Sequence, residues 1–292
     1  MRKFMAIVLG LFGCTTSLPA WNQEGHMVVA QYAYNHLDPS VKTTCDSLIA
    51  VTLTYGSTSN NTFVTASCWA DDYKSSLGTG IWHYIDLPFS LDGSTTAGVV
   101  EESFDIVKAI RQCVTTLQTT TETQVNKATS LRYLLHFVGD IQQPLHCSTA
   151  VWSTNLDGDA GGNGFNITGT WSNLHSLWDS GGGFLTDSIT RPLNATEQGY
   201  INTRVSTAET SYPFSVSLGV PDPMDWAIEG EGLAETVSYV GVTRGTTPSA
   251  AYYAKVQATT TQRMAIGGTR LANLLNTILA STPVEITAFK VE

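Results

Sequence analysis

Apolar residues recur at steps of three and four in five stretches of the chain, a spacing that predicts amphipathic helices. In the first stretch Val29, Ala33 and Leu37 lie four apart, and Asp38-Pro39 closes the run. The predicted helices cover residues 26–37, 100–117, 130–141, 224–239 and 250–279, and Gly267-Gly268 is a candidate break in the last. Because strand-like alternation is scarce, the pattern predicts a mainly helical, all-α fold.

A glycine-rich stretch at residues 149–173 interrupts this helical pattern with five glycines. A connection of that length is usually functional or disordered, so we interpret it as a long loop between two helical segments. The chain shows no internal repeat, charge block or proline-rich linker. A single domain from residue 21 to residue 292 is therefore the simplest architecture.

The composition is that of a packed globular protein: 292 residues, 42% hydrophobic and 14% charged. It excludes intrinsic disorder, collagen and coiled coil. Fifteen Lys and Arg against 25 Asp and Glu give a net charge of −10. Bulk electrostatics would therefore not attract nucleic acid, and a phosphate-bearing substrate would need a local source of positive charge.

The first twenty residues have the composition of a secretory signal peptide: a basic start, an apolar run at 4–12 and a small and polar end at Ala20. The apolar run is far shorter than the ~20 residues needed to span a bilayer. We expect cleavage to leave Trp21 as the N-terminus of a secreted protein, periplasmic in a bacterium. A lipoprotein-type cut before Cys14 is the alternative, which the preceding Phe12 disfavours.

Cleavage would leave 13 basic residues against 25 acidic ones and four cysteines. In an oxidising compartment an even number favours disulfides, and of three connectivities we prefer Cys45 with Cys68 and Cys113 with Cys147. Zinc–thiolate binding is the alternative, but no CxxC spacing supports it. Three Asn-x-Ser/Thr sequons are consistent with glycosylation in a eukaryotic source: Asn60, Asn166 and Asn194.

Five of the six histidines lie in short segments that also contain Asp, Trp or Gly. His136 and Asp140 are four apart in a predicted helix, and His175 and Asp179 repeat this spacing. Each pair therefore projects from one helix face, and a proline after the first pair lets the chain return His146 to the same cavity. Imidazole and carboxylate ligands without thiolates suit zinc.

A single histidine on an apolar helix is more often a hydrogen-bonded residue than a metal ligand, and one H-x3-D pair changes this little. Two pairs, together with Asp71 in WADD and His83 in WHYID, favour a polynuclear metal site, because an unpaired buried carboxylate is costly. For four further residues an ordinary packing or surface role stays open: Lys74, Tyr84, Asp86 and Trp152.

Six motifs follow one another in a recognisable order: WNQEGH (21–26), WAD (69–71), WHYID (82–86), HFVGDIQQPLH (136–146), GGN (161–163) and NLHSLWD (173–179). With them the chain resembles the zinc-dependent, single-strand-specific nuclease and 3'-nucleotidase family, the secreted S1/P1-type nucleases. The resemblance covers nearly the whole mature chain. It implies a single domain with the phospholipase C/P1 nuclease fold.

The resemblance further implies three zinc ions. The first would be held by four residues: Asp71, His83, His136 and Asp140. The second would be held by His146, His175 and Asp179, with water completing its shell. The third would take the α-amino nitrogen and carbonyl oxygen of Trp21 together with His26, and would share Asp140 with the first. Signal cleavage would thus complete the site, because an amide nitrogen cannot donate a lone pair to zinc.

By the same resemblance, a zinc-bridging hydroxide attacks phosphorus and leaves 5'-phosphates on RNA or DNA fragments. The family pattern assigns catalysis to Asp71, Lys74 and Asp140, and substrate binding to Lys74 at the phosphate and to Tyr84, Asp86 and Asn163 at the base. Base stacking requires an unstacked base, so single strands and nucleotides are the expected substrates. Three dications would also supply the missing positive charge. We expect a monomer.

Two other functions compete with this interpretation. A zinc-dependent phospholipase C shares the trinuclear design but has Glu where Asp179 stands here, so Asp179, Asp86 and Tyr84 favour the nuclease. A non-catalytic secreted glycoprotein that keeps zinc for folding is the second alternative. A structural site would saturate its zinc with protein ligands, whereas the His146, His175 and Asp179 set leaves a position open.

Overall fold

The computed structural model describes residues 21–100, 102–186 and 188–280. The predicted signal peptide (1–20) and the Cys14 alternative lie outside the described residues. The described residues form ten α-helices: α1 (Gln23–Asn35), α2 (Pro39–Ile49), α3 (Phe63–Ala66), α4 (Trp69–Leu77), α5 (Ile106–Gln118), α6 (Gln124–Asp140), α7 (Leu174–Asp179), α8 (Ala195–Ser211), α9 (Pro223–Leu233) and α10 (Ala250–Leu279). The predicted mainly helical fold is confirmed. None of the described helices is apolar over enough residues to cross a membrane.

The long helix α10 packs along α1 at the centre of the main core. The predicted break at Gly267-Gly268 is wrong, since α10 runs through both residues. The two glycines instead allow close packing: a Cβ on Gly268 would lie 2.6 Å from Cδ1 of Tyr32, and one on Gly267 would lie 2.9 Å from Cγ of Gln142. Their small size lets α1 and the end of α6 approach α10, and α6 carries two of the predicted metal ligands.

Capping side chains explain where several helices begin. The predicted helix at 100–117 begins only at Ile106, because the Asp105 carboxylate accepts the Lys108 N–H at the N-terminus of α5. Thr123 caps α6 in the same way and starts it earlier than predicted. The helix predicted at 224–239 is α9 followed by a π-helical turn, Ala234–Ser238. Three helices longer than eight residues were not predicted: α2, α4 and α8.

The glycine-rich loop contains a short strand, β2 (Thr149–Val151), which pairs in parallel with β1 (Pro88–Ser90). A buried carboxylate organises the loop from within: Asp159 accepts the Ala150 N–H at 2.9 Å and the Tyr239 hydroxyl at 2.7 Å. Gly161 has a φ of 61°, and a Cβ there would lie 2.1 Å from the Leu145 carbonyl oxygen. The loop therefore packs tightly on the segment that ends at His146.

The preferred disulfides are wrong: Cys45, Cys68, Cys113 and Cys147 are free and buried in the structure. They lie on different core elements, where each thiol is packed on its own. The Cys68 thiol donates to the Gln23 carbonyl, and the Cys147 thiol donates to the Ile141 carbonyl. Burial raises the pKa of Cys68 to about 12, which keeps this thiol protonated.

Of the three sequons, Asn60 does not fit a glycan on the folded chain. Its side chain is buried, and its amide donates to the Asp72 carboxylate at 2.9 Å. That prediction is wrong for the folded protein, because a modified amide would lose both its space and its partner. Asn166 and Asn194 are exposed, so their glycosylation stays a prediction.

Candidate metal centre

The C-terminal end of α6 carries the first group of predicted ligands. His136 and Asp140 lie one turn apart, with Nε2 and Oδ2 separated by 3.3 Å. His83 brings its Nδ1 to 2.9 Å from the same Oδ2, and Asp71 of α4 brings its Oδ1 to 3.6 Å from His136 Nε2. His136 and Asp140 are fully buried. The four predicted residues therefore converge on one buried point.

His26 of α1 lies on the other side of the same carboxylate. Its Nε2 is 3.3 Å from Asp140 Oδ1, and its ring stacks on His136 with centroids 3.8 Å apart. Both His26 ring nitrogens and Asp140 Oδ1 are buried without a hydrogen-bond partner. The two oxygens of Asp140 thus face different histidines, which is the arrangement of a carboxylate that bridges two cations.

Trp21 lies just before α1 in the chain, and its side chain is buried. Its indole N–H donates to the carbonyl oxygen of Gly139, the residue before Asp140, at 3.1 Å. Gly139 itself leaves room for the imidazole, because a Cβ there would lie 2.9 Å from His26 Nδ1. The structure therefore places the Trp21 side chain beside the residue that precedes Asp140.

The second group joins the end of the 3₁₀ turn at 144–146 to helix α7. His146 and His175 place their Nε2 atoms 3.1 Å apart, and Asp179 Oδ2 lies 3.4 Å from His175 Nε2. All three side chains are buried. They form a candidate site for a metal ion, like the two overlapping groups around His136.

Backbone carbonyls fix which nitrogen of each imidazole carries the proton. Nδ1 of His136, His146 and His175 lies within 2.7 Å of the carbonyl oxygens of Ser67, His83 and Gly161 respectively. An imidazole N–H donates in each case, so the Nε2 atom of a neutral ring presents a lone pair. Two such lone pairs 3.1 Å apart cannot hydrogen-bond to each other, whereas a cation between them satisfies both. The donor set fits metal ions.

The electrostatics of the buried residues support the same conclusion. Burial and the neighbouring His146 lower the pKa of His175 to about 3, so this ring stays neutral. Burial also raises the pKa of Asp179 well above its usual range. At His136 the carboxylates of Asp140 and Asp71 outweigh burial and raise the pKa to about 10. Without a cation, a proton therefore compensates the carboxylates of the first group.

Gln143 connects to the second group and was not singled out from the sequence. Its Nε2 donates to Asp179 Oδ1 at 2.8 Å, and its Oε1 accepts the Leu145 N–H at 2.6 Å. The side chain is fully buried. Its position between two ligands in HFVGDIQQPLH was the available signal. Because Oδ1 is held in this way, Oδ2 of Asp179 is left to face His175.

Replacing Gln143 with Leu should lower the affinity of the second group for a divalent cation about 10- to 100-fold, because the carboxylate loses its orienting donor. Competition between the protein and a chromophoric chelator for Zn²⁺ or Co²⁺ measures this affinity. Gln118→Leu, at an exposed position in α5, is the matched control. Equal affinities in the two variants would contradict the role given to Gln143.

The predicted phosphate and base residues lie around these groups. Lys74 donates to Asp71 Oδ1 at 3.0 Å, so its ammonium lies beside the first ligand group, and its charge also acts on His175 and Asp179. Tyr84 is half-buried and donates to Glu102 at 3.3 Å. The amide of Asn163 is used within the loop, where it donates to the Ala160 carbonyl.

Asp86 lies close to two carboxylates that the sequence did not connect with it. Burial, together with Asp159 and Glu102, raises its pKa to about 7. Asp86 and Glu102 also act on the Tyr84 hydroxyl, so the structure brings these groups together. A carboxyl of this kind can change between hydrogen-bond acceptor and donor near neutral pH. His36, the one histidine outside the clusters, instead contacts Glu209 at 3.0 Å.

The fold and the donor set define a mainly helical protein with a candidate polynuclear metal centre. The chain belongs to the S1/P1 nuclease family, whose model matches residues 21–280. It is 27% identical to nuclease P1 of Penicillium citrinum (89% of this chain, 98% of that protein) and 27% identical to nuclease S1 of Aspergillus oryzae (90% and 93%). It is 26% identical to endonuclease 2 of Arabidopsis thaliana (94% and 96%). The protein is thus a nuclease of a metal-dependent family.

Proposed function

We propose that this nuclease is a secreted, zinc-dependent phosphodiesterase that hydrolyses single-stranded RNA and DNA to 5'-nucleotides and also acts as a 3'-nucleotidase. The observation that carries the proposal is the convergence of imidazole lone pairs and carboxylate oxygens at buried, adjoining points. Nitrogen and oxygen donors without thiolates suit zinc. Membership of the nuclease family supplies the substrate class.

Three zinc ions are assigned to the residues as follows: Asp71, His83, His136 and Asp140; His146, His175 and Asp179; and His26 and Asp140 with the backbone of Trp21. When bound, such ions make a water molecule acidic enough to attack phosphorus and neutralise charge on the phosphate. The carbonyl oxygens of Ser67, His83 and Gly161 keep three imidazoles in the ligating tautomer. Asp140 would keep the first and third ions next to each other, because one of its oxygens faces His83 and His136 and the other faces His26.

Substrate is bound by the side chains around the centre. The Lys74 ammonium, held by Asp71 at 3.0 Å, donates to a phosphate oxygen and keeps it beside the first ligand group. The Tyr84 ring stacks on an unpaired base, and the carboxyl of Asp86 hydrogen-bonds to the edge of that base. Because a base within a duplex offers no free face, this recognition selects single strands.

Secretion completes the proposal. Cleavage after Ala20 converts the Trp21 amide into an amine, whose lone pair can bind zinc beside His26. The catalytic domain of residues 21–292 then acts outside the cell, or in the periplasm of a bacterium, as a monomer. A protein that retains Ala20 lacks this amine and is the natural control for its contribution.

Product analysis tests the proposed function. Protein beginning at Trp21 is mixed with single-stranded RNA and phosphatidylcholine together, with and without a zinc chelator. We expect chelator-sensitive release of 5'-mononucleotides from the RNA, and slower release by protein that retains Ala20. Phosphocholine release instead would identify a phospholipase C, and no turnover of either substrate would favour a structural role for the metal.

A further inference from the structure

A cation lies on an aromatic ring at the surface beside the glycine-rich loop. The Cζ atom of Arg244 is 4.6 Å from the centroid of the Trp152 ring. Arg244 is exposed and Trp152 is half-buried. We refer to these two residues as the Trp152–Arg244 pair. Neither residue takes part in the metal centre described above.

Arg244 differs from most of the arginines that the structure describes, because no described carboxylate forms an ion pair with it. Arg111, Arg191 and Arg263 each form an ion pair with an acidic side chain. Among the residues that the structure describes, Arg244 has no such partner. Its guanidinium lies over the Trp152 ring instead. In a chain of net charge −10, an exposed cation free of acidic partners is a local site for an anion.

Backbone contacts hold both residues of the pair in place. In the two residues that follow Arg244, the Gly245 N–H donates to the Asn166 carbonyl at 2.8 Å, and the Thr246 carbonyl accepts the Thr168 N–H at 3.0 Å. The Trp152 indole N–H donates to Thr154 at 3.0 Å. The pair is therefore organised before any ligand arrives, which lowers the entropic cost of binding.

The pair also lies within reach of a strand bound at the centre. Trp152 follows β2 and stands six residues after His146, a separation of at most about 20 Å in an extended chain. Its ring packs edge-on against Phe165, whose carbonyl accepts the N–H of Leu174, the residue before His175. The loop that carries Trp152 is thus continuous with the loop that supports the second ligand group.

We propose that the Trp152–Arg244 pair is a subsite for a nucleotide of single-stranded substrate that lies beyond the nucleotide at the metal centre. An unpaired base stacks on the exposed guanidinium and indole surface, and the Arg244 N–H groups donate to the adjoining phosphate. The Asp92 carboxylate accepts the Ser153 N–H at 2.9 Å and would repel a phosphate there, so the phosphate is placed at Arg244, the cation of the pair. This inference rests on the proposed function, because it requires a polynucleotide substrate.

Two variants of the pair, Arg244→Ala and Trp152→Leu, separate this subsite from the centre. KM and kcat are measured on a dinucleotide and on a twelve-nucleotide single strand. We expect KM for the longer strand to rise about 10-fold while both constants for the dinucleotide stay within about twofold. Lys42→Ala is the matched control, because Lys42 of α2 lies over another aromatic ring, 5.1 Å from the centroid of Tyr34 in α1, outside the glycine-rich loop.

The outcomes distinguish the two proposals. If the wild type cleaves neither substrate, the proposed function fails. If the wild type cleaves both and the Arg244→Ala strand KM equals that of Lys42→Ala, the subsite is overturned. An equal loss on both substrates also overturns it, since the pair would then act at the centre. Because Trp152→Leu can perturb the loop, the melting temperature of each variant is compared with that of the wild type. The KM of Arg244→Ala is the decisive measurement.

Discussion

Replacing Asp140 with Asn is expected to lower kcat on a dinucleotide by about 10³-fold, the largest effect of any substitution considered. One oxygen of Asp140 lies 2.9 Å from His83 and 3.3 Å from His136, and the other lies 3.3 Å from His26. An amide keeps the shape but loses the negative charge and one oxygen. Metal-ion stabilisation of the transition state is worth several kcal/mol, and each ~1.4 kcal/mol is a factor of ten.

Turnover at saturating Zn²⁺, together with the metal content of the purified variant, measures this effect. Asp46→Asn is the matched control, because its exposed carboxylate accepts the Tyr34 hydroxyl at 2.9 Å and an amide oxygen can do the same. The control should keep wild-type turnover. An Asp140→Asn protein that retains more than a tenth of wild-type kcat would contradict the bridging role.

Removing the metal should lower the melting temperature by about 5–10 °C for each tightly bound site. The ligands are buried, and without a cation the lone pairs of His146 and His175 face each other while the Asp179 carboxyl lies buried beside them. A ligand at 100 times its Kd stabilises the folded state by about 2.7 kcal/mol, and each kcal/mol shifts the melting temperature by about 2–4 °C in a protein of this size.

Scanning calorimetry before and after dialysis against a chelator measures this shift, and added Zn²⁺ should restore the original value. Asp140→Asn should show a smaller shift, because two of the three sites lose a ligand. A melting temperature unchanged by the chelator would show that the buried groups are satisfied without metal.

The candidate ligands were predictable because they depend on local periodicity. His136 with Asp140, and His175 with Asp179, lie four apart, and one helical turn brings each pair together wherever the helix packs. Family motifs then placed the remaining ligands in order. The prediction that α10 ends near Leu279 succeeded for the same local reason.

Long-range packing decided what the sequence could not show. The spacing of the four cysteines along the chain does not show how far apart they lie in the fold. The fold buries each thiol at a different place: Cys45, Cys68, Cys113 and Cys147. The low helix propensity of Gly267-Gly268 predicts a break in the helix. The structure instead requires small residues there, because Gly268 packs against Tyr32 and Gly267 against Gln142. Gln143 and Glu102 act through hydrogen bonds to residues far away in the chain, Asp179 and Tyr84, and no spacing rule predicts such contacts.

The structure also shows where positive charge is available to bind a phosphate. Of the twelve Lys and Arg side chains that the structure describes, seven form ion pairs, so in a chain of net charge −10 the positive charge that binds a phosphate must come from a few places. Lys74, beside Asp71, and Arg244, beside the glycine-rich loop, are two such places. The bound cations of the proposed centre would be the third and largest source.

Anomalous scattering at the zinc edge, from crystals of protein beginning at Trp21, tests the central claim most directly. We predict three maxima: two on either side of the Asp140 carboxylate, near His26 and near His83 with His136, and one between His146, His175 and Asp179. Maxima elsewhere, or none at the Asp140 carboxylate, would contradict a trinuclear zinc centre in this nuclease.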